Sequence, residues 1–526
     1  CDGSQVDSLE EERRDNLHTG NLDASGSIRY HVGTHRGMPP LPCRPVIRRL
    51  ALPLILLSVA VGATWQARAT DAAADLPPDP PGSPVPVTVS TPLFSARRVP
   101  LFLQAPEADR RLVADLDAVV ADLPSRTCVA VTEYGRLLYG HNESEPLIPA
   151  STQKLLTGVA ALELLGPDHV FTTRVVARAA AVDGVVDGDI WLVGGGDPVL
   201  MTTGYVGRFD DRMSYTDVDR LAGQMAVAGL TEVTGAVIGD ESRFDSLRYV
   251  ATWPERFRPG SQNQAGPLSA LSVNDGFVWW HAVNTSNGLS TSAADPAAFA
   301  AGLFDDLLEA RDVLIRRSPQ SGIAPLDATV ELARIDSPPL NEIVAQMLMT
   351  SDNTTAELLL KAMGGVVYPP GSSQAGASSV MTALKGAGHD LTGVVTADGS
   401  GLDPGNRVTC RVLTAMLEDP VHGPDLVDGM AVAGESGTMR GRLAGSSAEG
   451  RVRAKTGTLR DVNSLAGQVE TLEGRKLSFA VLTNAEPLPD RVRRLHDRVA
   501  LELVGYPSGP DLRLLEPLAV GGEERG

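Results

Sequence analysis

The sequence predicts an α/β (α+β) fold: an antiparallel sheet flanked by helices, interrupted by an inserted α/β region. Three alternating runs near the C-terminus, 451–459, 464–471 and 476–484, read as neighbouring antiparallel strands. Apolar residues recur at helical spacing in 110–123, in 340–350 and in the run after Ser151. Between these segments, from 173 to about 330, the texture changes to short strands with glycine turns.

The 526 residues exceed one compact core, so more than one domain is expected. Residues 1–37 are polar and unpatterned and are expected to lie upstream of a natural start at Met38. Residues 38–69 have the layout of a secretory signal: Arg44, Arg48 and Arg49, an apolar run from Leu50 to Ala63, then Ala67-Arg68-Ala69. The run is shorter than the roughly 20 residues of a membrane span. The chain is therefore expected to be exported to the cell envelope, and membrane-tethered only through this segment if it stays uncleaved. Proline density makes 70–105 an expected linker.

The first globular stretch, 106–172, holds the helix at 110–123, two strands across 128–140 turning at Tyr134-Gly135, and a helix from Ser151 to about Leu165 stopped by Gly166-Pro167. Residues 173–330 form the expected insertion, with a helix at 216–229, a strand at 233–240, an irregular stretch at 248–290 and a helix at 296–310. Residues 331–508 resume the first domain. They carry helices at 340–350 and 355–363, the three C-terminal strands and a closing helix at about 490–504; 509–526 read as a tail.

Net charge is −19 and the sequence pI about 4.9, which argues against nucleic acid or an anionic lipid surface as partner. Only five of the 46 basic residues are lysines: Lys154, Lys361, Lys385, Lys455 and Lys476. Arginine cannot be deprotonated, whereas a buried lysine can act as a base, so each lysine merits inspection. The four cysteines include no C-x-x-C pair. For Cys128 and Cys410 two buried thiols are the ordinary expectation and one disulfide the alternative; spacing does not choose. The nine histidines show no H-E-x-x-H, and no metal or cofactor is expected. G-E-S-G-T (434–438) lacks an accompanying His and Asp arrangement, and Gly194-Gly195-Gly196-Asp197 lacks the G-K-[ST] of a phosphate loop.

Three short motifs carry chemistry: Ser151-x-x-Lys154, Ser351-Asp352-Asn353 and Lys455-Thr456-Gly457. S-x-x-K alone arises by chance roughly a few tenths of the time in such a chain, and K-T-G on the order of a few hundredths. Residues i and i+3 share a helix face, so Lys154 can lie beside the Ser151 hydroxyl. A serine needs a base, and a lysine serves only when burial or a neighbouring cation, here Lys455, drives off its proton. Ser351-Asp352-Asn353 taken alone reads as a helix cap. Ser351 nevertheless sits where an exposed hydroxyl could relay a proton, and Asn353 can bond a backbone amide or a lysine. Gly457 lets a ligand approach the strand, and Lys455 and Thr456 can bind a carboxylate.

All three motifs in this order resemble the serine β-lactamase/penicillin-binding protein superfamily. The 200 residues from Ser151 to Ser351 leave no match to a compact β-lactamase. The chain more closely resembles the class C low-molecular-mass penicillin-binding proteins, the D-alanyl-D-alanine carboxypeptidase/endopeptidase family. L-V-G-G-G-D-P-V-L (192–200), A-L-S-V-N-D-G (270–276), D-G-S-G-L-D-P-G-N-R-V-T (398–409) and S-G-T-M-R-G-R-L (436–443) add to the likeness. The resemblance spans roughly 106–505 and implies a β-lactamase/transpeptidase-like domain. It implies peptidoglycan stem peptides as substrate and β-lactam antibiotics as mimics. It also implies Ser151 as nucleophile, Lys154 as base, Ser351 as proton relay and Asn353 as the residue that positions Lys154. Lys455, Thr456 and Thr458 would hold the terminal carboxylate, beside Gly457, with the amides of Ser151 and Thr458 as oxyanion hole. The 248–290 stretch is short for a separate third domain. The rivals are a secreted β-lactamase, for which no E-x-x-L-N follows Ser351, and a non-catalytic wall-binding protein, against which the intact motifs argue.

Overall fold

A computed structural model of the chain describes residues 95, 101–209, 213–257, 264–280 and 290–509. The expected upstream segment, the signal, most of the linker and the tail beyond 509 lie outside the described residues. Helix α1 (Leu101–Val120) begins five residues before the expected edge of the globular chain, so 101–105 are helix and not linker. The expected boundary rested on the proline density of 70–105; the helix runs on through Pro106, whose missing N–H and ring ordinarily disfavour a helix interior. Ala108, Leu112, Leu116 and Val119 form its buried stripe.

Strands β1 (Thr127–Glu133) and β2 (Arg136–His141) form the expected hairpin. Tyr134 and Gly135 both have positive φ (48° and 78°), the conformation that a two-residue turn between twisted strands requires. A short 3₁₀ turn, Ala150–Thr152, then leads into α2 (Gln153–Leu165). Residues 153–162 of α2 are all buried, as in a helix surrounded on every side. Gly166, at φ 88°, ends it.

The insertion follows: β3 (Thr172–Ala177), β4 (Ile190–Val193), α3 (Val218–Val227), β5 (Val237–Asp240), α4 (Pro296–Glu309), β6 (Gln320–Ser321) and β7 (Val330–Asp336). Its sheet runs β6-β5-β4-β3-β7, with β4, β5 and β6 parallel and β3 antiparallel to both β4 and β7. Asp217 caps α3, and Asp295 caps α4 by accepting from the Ala298 N–H at 3.0 Å. Val175, Ile190, Leu192, Leu221, Met225, Phe304 and Leu308 share one core. Because β7 pairs with β3 as far as Asp336, the insertion's sheet runs past the expected boundary at 330. Alternation alone could not assign β7, whose partner lies some 160 residues earlier.

The first domain resumes with α5 (Leu340–Thr350), α6 (Asn353–Val367), α7 (Ser373–Gly386) and α8 (Cys410–Leu417). Strands β8 (Ala431–Val432), β9 (Val452–Leu459), β10 (Val462–Glu470) and β11 (Lys476–Asn484) precede α9 (Arg491–Val504). The antiparallel sheet runs β8-β9-β10-β11-β1-β2 and is covered on both faces. Side chains alternate across it. Cys128, Ala130, Ala480 and Leu482 face the core of α2, α5 and α6, whereas Val129, Val131, Phe479 and Val481 face α1 and α9.

Cys128 on β1 and Cys410 at the start of α8 form a disulfide, Cα atoms 5.9 Å apart and 282 residues apart in sequence. The expectation of two free thiols is thereby corrected: both side chains are buried where the helix crosses the strand. Closing so long a loop restricts the unfolded chain, so the double variant Cys128→Ser/Cys410→Ser is expected to lose about 2–4 kcal/mol. Denaturant titration reads this, and equal midpoints for variant and parent would show that the bridge adds nothing.

Candidate active site

Ser151 sits in the middle of the 3₁₀ turn, one residue after Ala150, whose φ of 49° is costly for a side chain that can offer no compensating hydrogen bond. The surroundings enforce the turn. Asn484, the last residue of β11, accepts from the Ile148 N–H (2.8 Å) and donates to the Ile148 carbonyl (3.0 Å). The Pro149 carbonyl accepts from Ser464 Oγ (2.6 Å) and Thr152 Oγ1 (2.8 Å). Two glycines admit the turn. A Cβ on Gly401 (φ 88°) would stand 1.8 Å from the Ala150 carbonyl oxygen, and one on Gly457 would stand 2.9 Å from the Ser151 nitrogen.

Lys154, on the first turn of α2, has no exposed surface. Its Nζ lies 3.2 Å from Ser151 Oγ, 2.6 Å from Asn353 Oδ1 and 2.7 Å from the Ser400 carbonyl. Asn353 opens α6, whose N-cap Asp352 accepts from Thr354 N–H and Thr355 N–H; its Nδ2 donates to the Gln264 carbonyl at 2.6 Å. Ser351 joins α5 to α6 in the left-handed region (φ 64°). Lys455, fully buried on β9, donates to Ser351 Oγ and to the Thr456 carbonyl, both at 2.7 Å. The three motifs thus form two serine–lysine pairs, Ser151–Lys154 and Ser351–Lys455.

Strand β8 pairs with β9 only at Ala454 and Arg453, so among the described residues 455–459 have strand pairing on one side only. Along this edge Thr456 is half-buried, Gly457 buried against the Ser151 turn, and Thr458 exposed. An open strand edge is a template for an extended peptide. All eight residues singled out from sequence, Ser151, Lys154, Ser351, Asn353, Lys455, Thr456, Gly457 and Thr458, therefore lie on one constellation built from α2, the α5–α6 joint and β9.

Burial pushes the Lys154 ammonium down to about 8, partly offset by Asp398, Asp352 and Glu357. Burial and then the charge of Lys154 push Lys455 well below the ordinary lysine range. The acids lie on the Lys154 side, and among the described residues Lys455 has a hydroxyl and a carbonyl for partners. In the free site Lys154 therefore depresses Lys455, the reverse of the direction expected from sequence.

Sequence reasoning missed what lies behind Lys154. The loop from Asp398 to Asp403 delivers the Ser400 carbonyl to its ammonium. Glu357, fully buried on α6, accepts from the N–H groups of Gly399 (3.0 Å) and Ser400 (2.8 Å), and Thr157 Oγ1 donates to the Gly399 carbonyl (2.7 Å). Asp398 accepts from Gly401 N–H, Asp403 N–H, Asn406 Nδ2 and Trp253 Nε1. Trp253 belongs to the irregular 248–290 stretch, whose residues Trp253 and Gly266 bond the Asp398 loop and α6 instead of forming an independent unit. The available signal was a glutamate in the otherwise apolar run A-E-L-L-L (356–360).

A serine that follows a strained alanine, a buried lysine beside it, a second serine–lysine pair and an open strand edge define the class of active-site-serine acyl-transfer enzymes. The chain belongs to the D-Ala-D-Ala carboxypeptidase 3 (S13) family, whose model matches residues 112–289 and 283–500. It is 32% identical over 468 residues to the D-alanyl-D-alanine carboxypeptidase of Actinomadura sp. strain R39, covering 74% of this chain and 84% of that one. It is 30% identical over 455 residues to carboxypeptidase DacB of Mycolicibacterium smegmatis, covering 82% and 91%. The crystal structure of penicillin binding protein 4 (dacB) from Haemophilus influenzae superposes with a TM-score of 0.63 at 22% identity, covering 74% of this chain and 99% of that one, a likeness of fold. The chain is a serine-type D-Ala-D-Ala carboxypeptidase of this family.

Burial and then Asp398 push the Glu357 carboxyl up to about 8, against its bonds to Ser400 and the charge of Lys154, so the two N–H donors do not depend on a full carboxylate charge. Glu357→Gln is therefore expected to keep activity within a few-fold at pH 7. Glu357→Ala strands two buried N–H groups, about 1–3 kcal/mol each, and is expected to cut kcat/KM by ten-fold or more. Equal loss in both variants would show that the carboxyl acts in another way.

Proposed function

We propose that Ser151 Oγ attacks the carbonyl carbon of the penultimate D-alanine of a stem peptide, forming an acyl-enzyme and releasing the terminal D-alanine. The observation that carries this is Lys154 Nζ, fully buried and 3.2 Å from Ser151 Oγ, with its other two bonds spent on Asn353 and Ser400. Lys154 takes the hydroxyl proton as the new C–O bond forms. The oxyanion is held by the N–H groups of Ser151 and Thr458; the close packing of Gly457 on the Ser151 turn supports this reading. Ser351, held by Lys455, passes a proton to the departing nitrogen as the C–N bond breaks, and water then attacks the acyl carbon. Asn353 holds Lys154 in place.

The terminal carboxylate lies against Lys455, Thr456 and Thr458. Its charge holds a proton on Lys455, and a charged Lys455 drives the proton off Lys154. Substrate binding thereby arms the base. Because the productive complex keeps one proton on the lysine pair, kcat/KM is expected to hold while the free site carries that proton and to fall as pH rises through about 8, where Lys154 gives it up. A flat profile from pH 6 to 10 would remove Lys154 from that role.

A β-lactam offers the same carbonyl with a leaving group that cannot depart, so it traps Ser151; one of the similar solved structures is described as complexed with a β-lactam. Export is supported by the signal-like layout of 38–69 and by the Cys128–Cys410 bridge, a bond of oxidising compartments. Fluorescent penicillin is expected to label the parent durably and to fail on Ser151→Ala, with Lys154→Arg acylated at least 100-fold more slowly. Labelling of Ser151→Ala would sink the assignment, and rapid loss of label from the parent would indicate β-lactamase turnover.

A further inference from the structure

A polar cavity of about 510 Å³ is lined by none of the motif residues. It is lined by His169, Arg174, Gly194, Gly195, Arg243 and Arg334, among others. It lies where the parallel strands β4 and β5 end, Gly194 and Gly195 following the one and Ser242 and Arg243 the other. Ligands of open α/β sheets bind outside such strand ends. From Ser151 it is about one length of α2 away, on the order of 20 Å.

Its charge is out of keeping with a chain of net charge −19. Arg174 on β3 stands directly opposite Arg334 on β7 in the antiparallel register. Like charges so placed repel each other. Arg334 is drawn to Asp336 at 3.0 Å, but among the described residues neither Arg174 nor Arg243 has a carboxylate within ion-pair distance. Burial and Arg174 lower the affinity of Arg243 for its proton, and burial and then Arg243 do the same to His169. One carboxylate lines the cavity, Glu331, and it acts on Arg334. The backbones here are also closely packed, since a Cβ on Gly195 would stand 2.2 Å from the Thr172 carbonyl oxygen.

We propose that this pocket binds the carboxylate terminus of a second stem peptide, distinct from the one being cleaved. Arg174 and Arg243, near enough for the one to act on the other and both without a carboxylate partner among the described residues, match a planar carboxylate, which accepts from two forks at once. The ligand follows from the peptidoglycan reading of the active site, whose substrate presents such a terminus on every uncleaved stem.

The test uses the full chain acylated by penicillin, so that Ser151 is occupied. Calorimetric titration at fixed ionic strength compares diacetyl-L-lysyl-D-alanyl-D-alanine, its C-terminal amide and inorganic phosphate. The acid is expected to bind saturably at one site and the amide at least ten-fold more weakly. Arg174→Gln/Arg243→Gln is expected to lose at least ten-fold in affinity, Arg243→Lys less. The double variant should melt no lower than the parent without ligand, because it relieves repulsion, so loss of binding is not loss of fold. Absence of saturable binding, equal binding of the amide, or unchanged binding by the double variant overturns the proposal. Binding of phosphate alone overturns the peptide assignment and leaves an inorganic-anion site. If penicillin fails to label the chain, parent and double variant are compared unacylated, so the pocket and the active-site reading fail separately.

Discussion

Two lysines without exposed surface, Lys154 and Lys455, must share one site, and much of the molecule is arranged around that constraint. Each desolvated ammonium resists its own charge and its neighbour's. The fold answers with neutral oxygens. Asn353 Oδ1, the Ser400 carbonyl, Ser351 Oγ and the Thr456 carbonyl occupy the amines without fixing a proton on them, as a direct carboxylate partner would. The acids stay one layer back and on one side. The pair is thus poised between charge states, and the arrival of a carboxylate beside Lys455 can decide which lysine is neutral.

Strain lies next to the nucleophile. Ser151 sits before the helix proper, in a turn that starts from a left-handed alanine, and Lys154 meets it from the first turn of α2. Stability is spent elsewhere to keep it there. The Asn484 amide grips the backbone at Ile148, two hydroxyls converge on the Pro149 carbonyl, and the glycines at 401 and 457 leave room for backbone where a side chain would intrude. Catalytic geometry here belongs less to the motif residues than to the sheet end and the loop that press on them.

The parts legible in the sequence were those with a local signature. Ser151-x-x-Lys154 predicts a shared helix face, and the pair is found there. The three C-terminal strands alternate as a sheet with two buried faces must, and β9, β10 and β11 follow within two residues. The parts that stayed hidden depend on distant partners. Strand β7 is a strand of the insertion because β3 accepts it; Cys128 finds Cys410 only through the crossing of β1 and α8; Glu357 matters through a loop some 40 residues downstream. The glycine-rich run 398–405 was noticed as a resemblance, but its task, presenting one carbonyl to one ammonium, is a matter of backbone direction, on which residue identity is silent.

The bridge between Cys128 and Cys410 makes a covalent ring of the intervening chain. Ser151, Lys154, Ser351 and Asn353 lie inside that ring, along with the entire insertion, while Lys455 lies on the arm that leaves it. One peptide-bond cleavage anywhere within the ring opens a circle without severing the chain into two pieces. The long excursion between the first and second motifs, which carries the greatest length of irregular backbone, is in this way insured against the loss of either half of the serine–lysine machinery.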